Sequence, residues 1–198
     1  MVARSVTGEV LAYPTVETTQ KDSICHTVIA PANITSAQLA EAADVASRAI
    51  GTFDAAGIFG VELFLTEEGT ILLNEIAPRP HNSGHYTIEA CETDQFEMHL
   101  RAILGLPLCG AELRVGASVM LNILGEGDDM AVTKAPMLQS LEVKGAGIHW
   151  YGKAESRKGR KMGHITYVGH SMQVDPSLRD DTTTPKPFPG PNPFPSDF

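Results

Sequence analysis

Two glutamates stand where the surrounding sequence is apolar. Glu62 interrupts the run Gly57-Ile58-Phe59-Gly60-Val61-Glu62-Leu63-Phe64-Leu65, and Glu75 interrupts Leu72-Leu73-Asn74-Glu75-Ile76. Both runs are apolar enough to be buried strands, and a carboxylate buried without a partner costs several kcal/mol or takes up a proton. The residues between them, Thr66-Glu67-Glu68-Gly69, have the composition of a hairpin loop. A hairpin centred there sets Glu62 opposite residue 74 or 75, so that two like charges meet across the ladder. A divalent cation would relieve both burial and repulsion. An all-oxygen pair with few protein ligands suits magnesium, which keeps waters and takes phosphate oxygens from its substrate, and ATP is the natural donor of those oxygens. The competing reading is a plain buried ion pair, for instance with Arg79.

Other chemistry-bearing residues follow. His81 and His85 are four apart, as a zinc pair on a helix would be, but Pro80 precedes them and Gly84 lies between, which disfavours that helix. A loop-anchoring role is the expectation for His85. Lys153, Arg157, Lys158, Arg160 and Lys161 form the densest basic segment, with Gly159 giving the backbone freedom to wrap an anion. Read without further context, that segment is a solvated loop.

The elements that must hold these residues can be read from pattern. Val2 to Val6 and Glu9 to Tyr13 form two short strands about the turn Thr7-Gly8, ended by Pro14, and Cys25 to Ile29 forms a strand closed by Pro31. Val2 has no leading loop or cap, so Met1 is expected to lie inside a strand of a longer sheet. Thr35-Ser36-Ala37-Gln38 fits a capping box, and Leu39, Ala43, Ala46 and Ile50 recur at helical spacing up to Gly51. A second helix is expected from about Thr93 to Leu104 with Phe96, Leu100, Ile103 and Leu104 as its buried stripe. Ala117 to Leu124, Gly147 to Tyr151 and Gly163 to Val168 read as strands of a further small sheet. From Asp180 onward prolines alternate with other residues, which predicts a disordered or extended tail.

A chain of 198 residues, 42% hydrophobic, can bury one sizeable core and a small second lobe. No apolar run reaches membrane-spanning length and no signal peptide is apparent, so a cytosolic protein is expected. The odd, widely spaced Cys25, Cys91 and Cys109 indicate neither a disulfide framework nor zinc, and are expected to be reduced core thiols. A formal charge of −9 argues against general nucleic-acid binding.

Glu62 on one strand with Asn74-Glu75 on the next resembles the magnesium site of ATP-grasp enzymes. The continuation Asn74-Glu75-Ile76-Ala77-Pro78-Arg79-Pro80-His81-Asn82-Ser83-Gly84-His85-Tyr86-Thr87 is more specific. It is similar to carboxyaminoimidazole ribonucleotide synthase, the ATP-dependent part of phosphoribosylaminoimidazole carboxylase. Gln95 to Ala102 and Gly159-Arg160-Lys161-Met162-Gly163-His164 match that family in order, and the resemblance runs from about Val2 to Val168.

The resemblance implies an α+β fold: the C-terminal half of an ATP-grasp domain over residues 1–110, a small β-rich lobe over 111–178, and a proline-rich tail over 179–198. The family's N-terminal domain, its glycine-rich lid and its phosphate-binding lysines have no counterpart, so a fragment that turns over poorly alone is expected. The implied reaction uses ATP to carboxylate aminoimidazole ribonucleotide with bicarbonate through carboxyphosphate, and the family analogy implies a homodimer. By the same carry-over, Glu62 and Glu75 hold magnesium, Asn74 and Glu75 contact the nucleotide with Gln20, and Arg79 stabilises bicarbonate or carboxyphosphate. His81, Asn82 and Ser83 offer an imidazole, an amide and a hydroxyl to the ribonucleotide, and Lys153 and Arg160 bind its phosphate. Ala77 stands where many ATP-grasp enzymes have asparagine, and Gln20 where many family members have histidine after a strand ending near Glu17. The rival expectations are a non-catalytic binding or dimerisation remnant and another ATP-grasp ligase, such as a formate-using transformylase.

Overall fold

A computed structural model describes residues 1–170. The tail expected over 179–198, and the last residues of the lobe expected to end at 178, lie outside the described residues. Two antiparallel sheets carry the fold. The first has the order β2-β1-β5-β6, from Val10–Ala12, Val2–Arg4, Gly57–Leu65 and Ile71–Ala77. Helix α1 (Ser36–Gly51) covers one face, and Ala46 and Ile50 pack there with Val2 and Phe59, flanked by Val61 and Ile76. The capping box is present as expected: Thr35 Oγ1 accepts from the Gln38 amide and the Gln38 side chain accepts from the Thr35 amide.

The second sheet has the order β3-β4-β7-β9-β8, from Glu17–Lys21, Ile24–Ala30, Ala117–Leu124, Lys161–Gly169 and Gly147–Trp150. The late strands therefore do not make a separate small sheet, because β4 pairs with β7 from Thr27↔Leu121 to Ala30↔Ser118. Strand β3 was not expected, and Glu17 begins it rather than ending a strand. Its turn to β4 uses Asp22 and Ser23, both at positive φ, without the glycine that usually marks such a hairpin.

Helix α2 (Thr87–Ala90) is one short turn, and α3 (Gln95–Leu104) starts from an Asp94 cap and ends at Gly105 with φ +69°. The buried face of α3 is not the expected one. Gln95, Met98 and Ala102 are buried, whereas Phe96, Leu100, Ile103 and Leu104 are exposed. Ala102 and the close approach of His99 to Gly57 let the helix lie against β5, and this narrow contact outweighs the bulkier stripe on the other side. Helix α4 (Met130–Ser140) escaped the sequence reading because Pro136 lies inside it. Of the cysteines, Cys91 is buried, Cys25 half-buried and Cys109 exposed, so the third is no core thiol. Among the described residues, no helix is long and apolar enough to cross a membrane.

Candidate functional site

Strands β5 and β6 pair in the register that sets Glu62 directly opposite Glu75, with a bulge between Glu62 and Leu63. Val61 and Ile76, one residue away on each strand, face α1, so strand alternation turns both carboxylates to the opposite face. The expected burial holds at Ile58, Phe59, Ile71 and Ala77 but not around the two acids or at the tip of the hairpin. Phe64, Leu65, Leu72 and Leu73 are exposed, as is Glu75, and Glu62 is half-buried. The reason lies in the topology: β1 pairs with β5 only over Gly57, Ile58 and Phe59, so the hairpin runs on past its sheet. Like charge, rather than desolvation, is what brings the two acids into tension.

Among the described residues, no lysine or arginine forms an ion pair with either acid. Glu62 instead accepts a long hydrogen bond from Asn74 Nδ2 at 3.4 Å and faces His81 Nε2 at 3.7 Å. His81 packs so closely on β5 that a Cβ on Gly60 would lie 2.6 Å from its Cγ. Its Nδ1 lies 2.8 Å from Ser83 Oγ and accepts from the Ser83 amide at 3.4 Å, which leaves the ring proton on Nε2, toward Glu62. Burial lowers the His81 pKa, Glu62 opposes that shift, and Arg79 and Lys161 add to it.

The loop from His81 to Gly84 is held from beneath. Gln95, fully buried, accepts from the His81 amide at 2.9 Å and donates through Nε2 to the His81 carbonyl at 2.9 Å. Asn82 and Asn122 exchange two amide hydrogen bonds, of 2.8 and 2.7 Å, and Asn122 Nδ2 also donates to the Cys25 carbonyl at 2.9 Å. The loop is thereby tied to α3 and to the β4–β7 pair at once, an arrangement that preorganises its half-buried side chains.

An open cleft of about 580 Å³ gathers Gln20, Glu62, Glu75, His81, Asn82 and Ser83. A neighbouring cavity of about 510 Å³ shares Gln20, Glu62 and Ser83 with it and adds Asn74. Arg79, Lys153 and Arg160 line neither. Arg79 Nη1 donates to the Pro80 carbonyl at 3.0 Å, Lys153 Nζ to the Lys161 carbonyl at 2.6 Å, and Arg160 Nη1 to the Glu155 carbonyl at 2.9 Å. The basic residue that does reach the cleft is Lys161, beside Cys25. Its pKa is lowered by burial, against the pull of Cys25 and Glu62, and burial raises the Cys25 thiol. Lys161, read from the sequence as part of the basic segment, and Cys25, read as a core thiol, reach the cleft because the β4-β7-β9 order brings their strands near the hairpin.

Comparison with known proteins gives this constellation a lineage. A family model described as ATP-grasp domain matches residues 1–96, and one described as phosphoribosylaminoimidazole carboxylase C-terminal domain matches residues 118–174. The chain belongs to the phosphoribosylaminoimidazole carboxylase family of ATP-grasp proteins. The phosphoribosylaminoimidazole carboxylase of Schizosaccharomyces pombe is 56% identical over 178 residues, which span 87% of this chain and 32% of that protein. The N5-carboxyaminoimidazole ribonucleotide synthase of Bacillus subtilis is 45% identical, over 85% of this chain and 43% of its own length. Among solved structures, the N5-carboxyaminoimidazole synthase of Aspergillus clavatus, in complex with ADP and aminoimidazole ribonucleotide, superposes with a TM-score of 0.82 at 48% identity. That match covers 86% of this chain and 46% of the other. The chain thus spans about a third to a half of the length of the family members it matches.

Proposed function

We propose that this chain carries the metal-binding and ribonucleotide-binding part of an ATP-dependent carboxyaminoimidazole ribonucleotide synthase of purine biosynthesis. The observation that carries the reading is the cleft itself, where cross-strand carboxylates meet an imidazole, an amide, a hydroxyl and a lysine. In the reaction, a bicarbonate oxygen takes the terminal phosphoryl group of ATP, giving ADP and carboxyphosphate. The exocyclic amine of aminoimidazole ribonucleotide then takes the carboxyl group, losing a proton as phosphate leaves.

Glu62 and Glu75 fit a magnesium ion, being adjacent oxygen donors with no Lys or Arg ion-pair partner among the described residues. Two carboxylates would leave most of the ion's positions to water and phosphate oxygens, as magnesium prefers. Magnesium would supply charge neutralisation at the transferring phosphate. Asn74, already bonded to Glu62, and Gln20 would contact the nucleotide. His81, Asn82 and Ser83 would bind the ribonucleotide, and Arg79 would swing from Pro80 to steady bicarbonate or carboxyphosphate. Lys153 and Arg160 would bind the ribonucleotide phosphate after leaving their present carbonyl partners, with Lys161 beside them. The two family matches support a division near residue 110 in sequence, into an ATP-grasp part (1–110) and a smaller C-terminal part (111–178) whose described strands share a sheet with β3 and β4. A cytosolic homodimer fits the same reading, and the exposed apolar face of α3 is a surface it would use.

The test is ADP release with magnesium, bicarbonate and aminoimidazole ribonucleotide, comparing this chain with one extended upstream by its own coding sequence. Ribonucleotide-dependent release by the extended chain, abolished by Glu75→Gln, is the expected result. Release that depends on formate instead would transfer the assignment to a transformylase, and no ribonucleotide response in either chain would leave a non-catalytic remnant.

A further inference from the structure

Away from the two carboxylates, three imidazoles form a column. His85 stacks on His164 with ring centroids 4.7 Å apart, and His164 stacks on His149 at 4.4 Å, with interplanar angles of 16° and 14°. The rings come from separate elements: His85 follows the 81–84 loop, His164 lies on β9 and His149 on β8. Phe96 of α3 stacks on the outer side of His85 at 5.9 Å. At the other end, Glu89 of α2 meets His149 Nε2 at 2.6 Å, and any side chain on Gly147 would collide with that carboxylate.

The hydrogen bonds around the column fix its rings. Gln95 Nε2 donates to His85 Nδ1 at 3.0 Å, and the same Gln95 amide holds the His81 backbone. Tyr151 Oη lies 2.8 Å from His164 Nδ1, and His164 is buried with its Nε2 unpartnered. A buried polar atom without a partner is costly and needs a compensating role. Here the ring faces are both occupied, which a Phe could also achieve, while the edge is oriented by Tyr151.

We propose that His164 is a positioning residue for the candidate cleft: stacked between His85 and His149, it clamps the 81–84 loop to the β8–β9 hairpin. One wall of the cleft is that loop, with His81, Asn82 and Ser83. Gly159 and Lys161, at the start of β9, line it as well, with Thr18, Gln20 and Cys25 of the β3–β4 hairpin; the loop that carries Lys153 and Arg160 precedes β9. Within the column, the His85–His164 stack and the Glu89–His149 bond join the segment after that loop to the β8–β9 hairpin, beside the Asn82–Asn122 pair that ties the loop itself to β7. What the cleft binds rests on the function proposed above; the clamp itself does not.

Backbone hydrogen exchange on the full chain separates the two. The loop amides of Gly84 and His85, which donate to the His81 and Asn82 carbonyls, report the clamp. With His164→Ala, these amides should exchange about tenfold faster than in the unmodified chain while those of β5 and β6 are unchanged, and His164→Phe should restore them. If His164→Ala fails to fold, Tyr151→Phe, which frees the ring edge alone, should speed the same amides about threefold. Unchanged loop exchange, or equal loosening of β5 and β6, overturns the clamp. Calorimetric titration with aminoimidazole ribonucleotide then reads the consequence: affinity lost in His164→Ala and recovered in His164→Phe. Failure of the unmodified chain to bind would count against the proposed function and leave the exchange result standing.

Discussion

At the scale of single residues, contact distances decide which side chains can change. Gly60 has no room for a methyl group, since a Cβ would sit 2.6 Å from His81 Cγ, itself the imidazole that faces Glu62. Gly60→Ala should therefore lower stability by about 1–3 kcal/mol, the usual cost of overpacking, and displace His81. Urea denaturation checks the first effect, and an unchanged midpoint would show that the loop yields freely. Gln95 is a different case, because its amide satisfies both the N–H and the C=O of His81 from a fully buried position. Gln95→Met keeps the volume but strands the His81 N–H and His85 Nδ1, whereas the His81 carbonyl keeps its bond from the Gly84 amide. A loss of roughly 2–4 kcal/mol is expected, since an unsatisfied buried group costs about 1–3 kcal/mol. A loss below about 1 kcal/mol would mean that water enters and takes over the bonds.

At the scale of elements, α3 offers the sharpest prediction because its two faces compete. Met98 is fully buried and Leu100, two residues on, is 54% exposed. Met98→Ala should cost about 2–5 kcal/mol and Leu100→Ala about 0.5 kcal/mol or less, by thermal or chemical melting; the reverse order would restore the stripe that the sequence suggested. The same element shows where pattern reading stops. Its apolar residues surround the helix, so periodicity admits two buried faces, and only the approach to Gly57 on β5 selects between them. By contrast, α1 was legible because Thr35 and Gln38 mark its start chemically. The β5–β6 hairpin was legible too, with Glu62 expected opposite residue 74 or 75 and found opposite Glu75, because a short polar loop joins two apolar runs. Strand β3 was not, since Asp22-Ser23 is an unusual pair to turn through positive φ. In the candidate site, the local segment His81-Asn82-Ser83 could be read from the sequence. Lys161 and Cys25 could not be placed there, because their proximity to Glu62 is a product of long-range strand order.

At the scale of the whole molecule, the histidine column ties stability to pH. His85 is pushed down to about 4 and His164 to about 3, in both cases chiefly by burial, with neighbouring positive charge as the lesser cause: Lys161, His149 and His81 for His85, and His85 and His149 for His164. In the unfolded chain both return to about 6.5. Between the folded and unfolded values the unfolded state binds protons that the folded state refuses, so stability must fall as pH falls. Their contribution is intact above about pH 6.5 and declines below it, by about 1.4 kcal/mol per pH unit for each histidine until the folded pKa is reached. Carboxylates also weaken acid stability, so the discriminating quantity is a difference in slope. His164→Phe keeps a ring in the column and removes one titrating site. Its denaturation free energy, measured from pH 7 to pH 5, should decline less steeply than that of the unmodified chain by about one proton's worth. The difference should accumulate to on the order of 2 kcal/mol at pH 5. Parallel lines for the two proteins would mean that His164 takes up its proton in the folded state, and the column would then have to accommodate a charge between two other imidazoles.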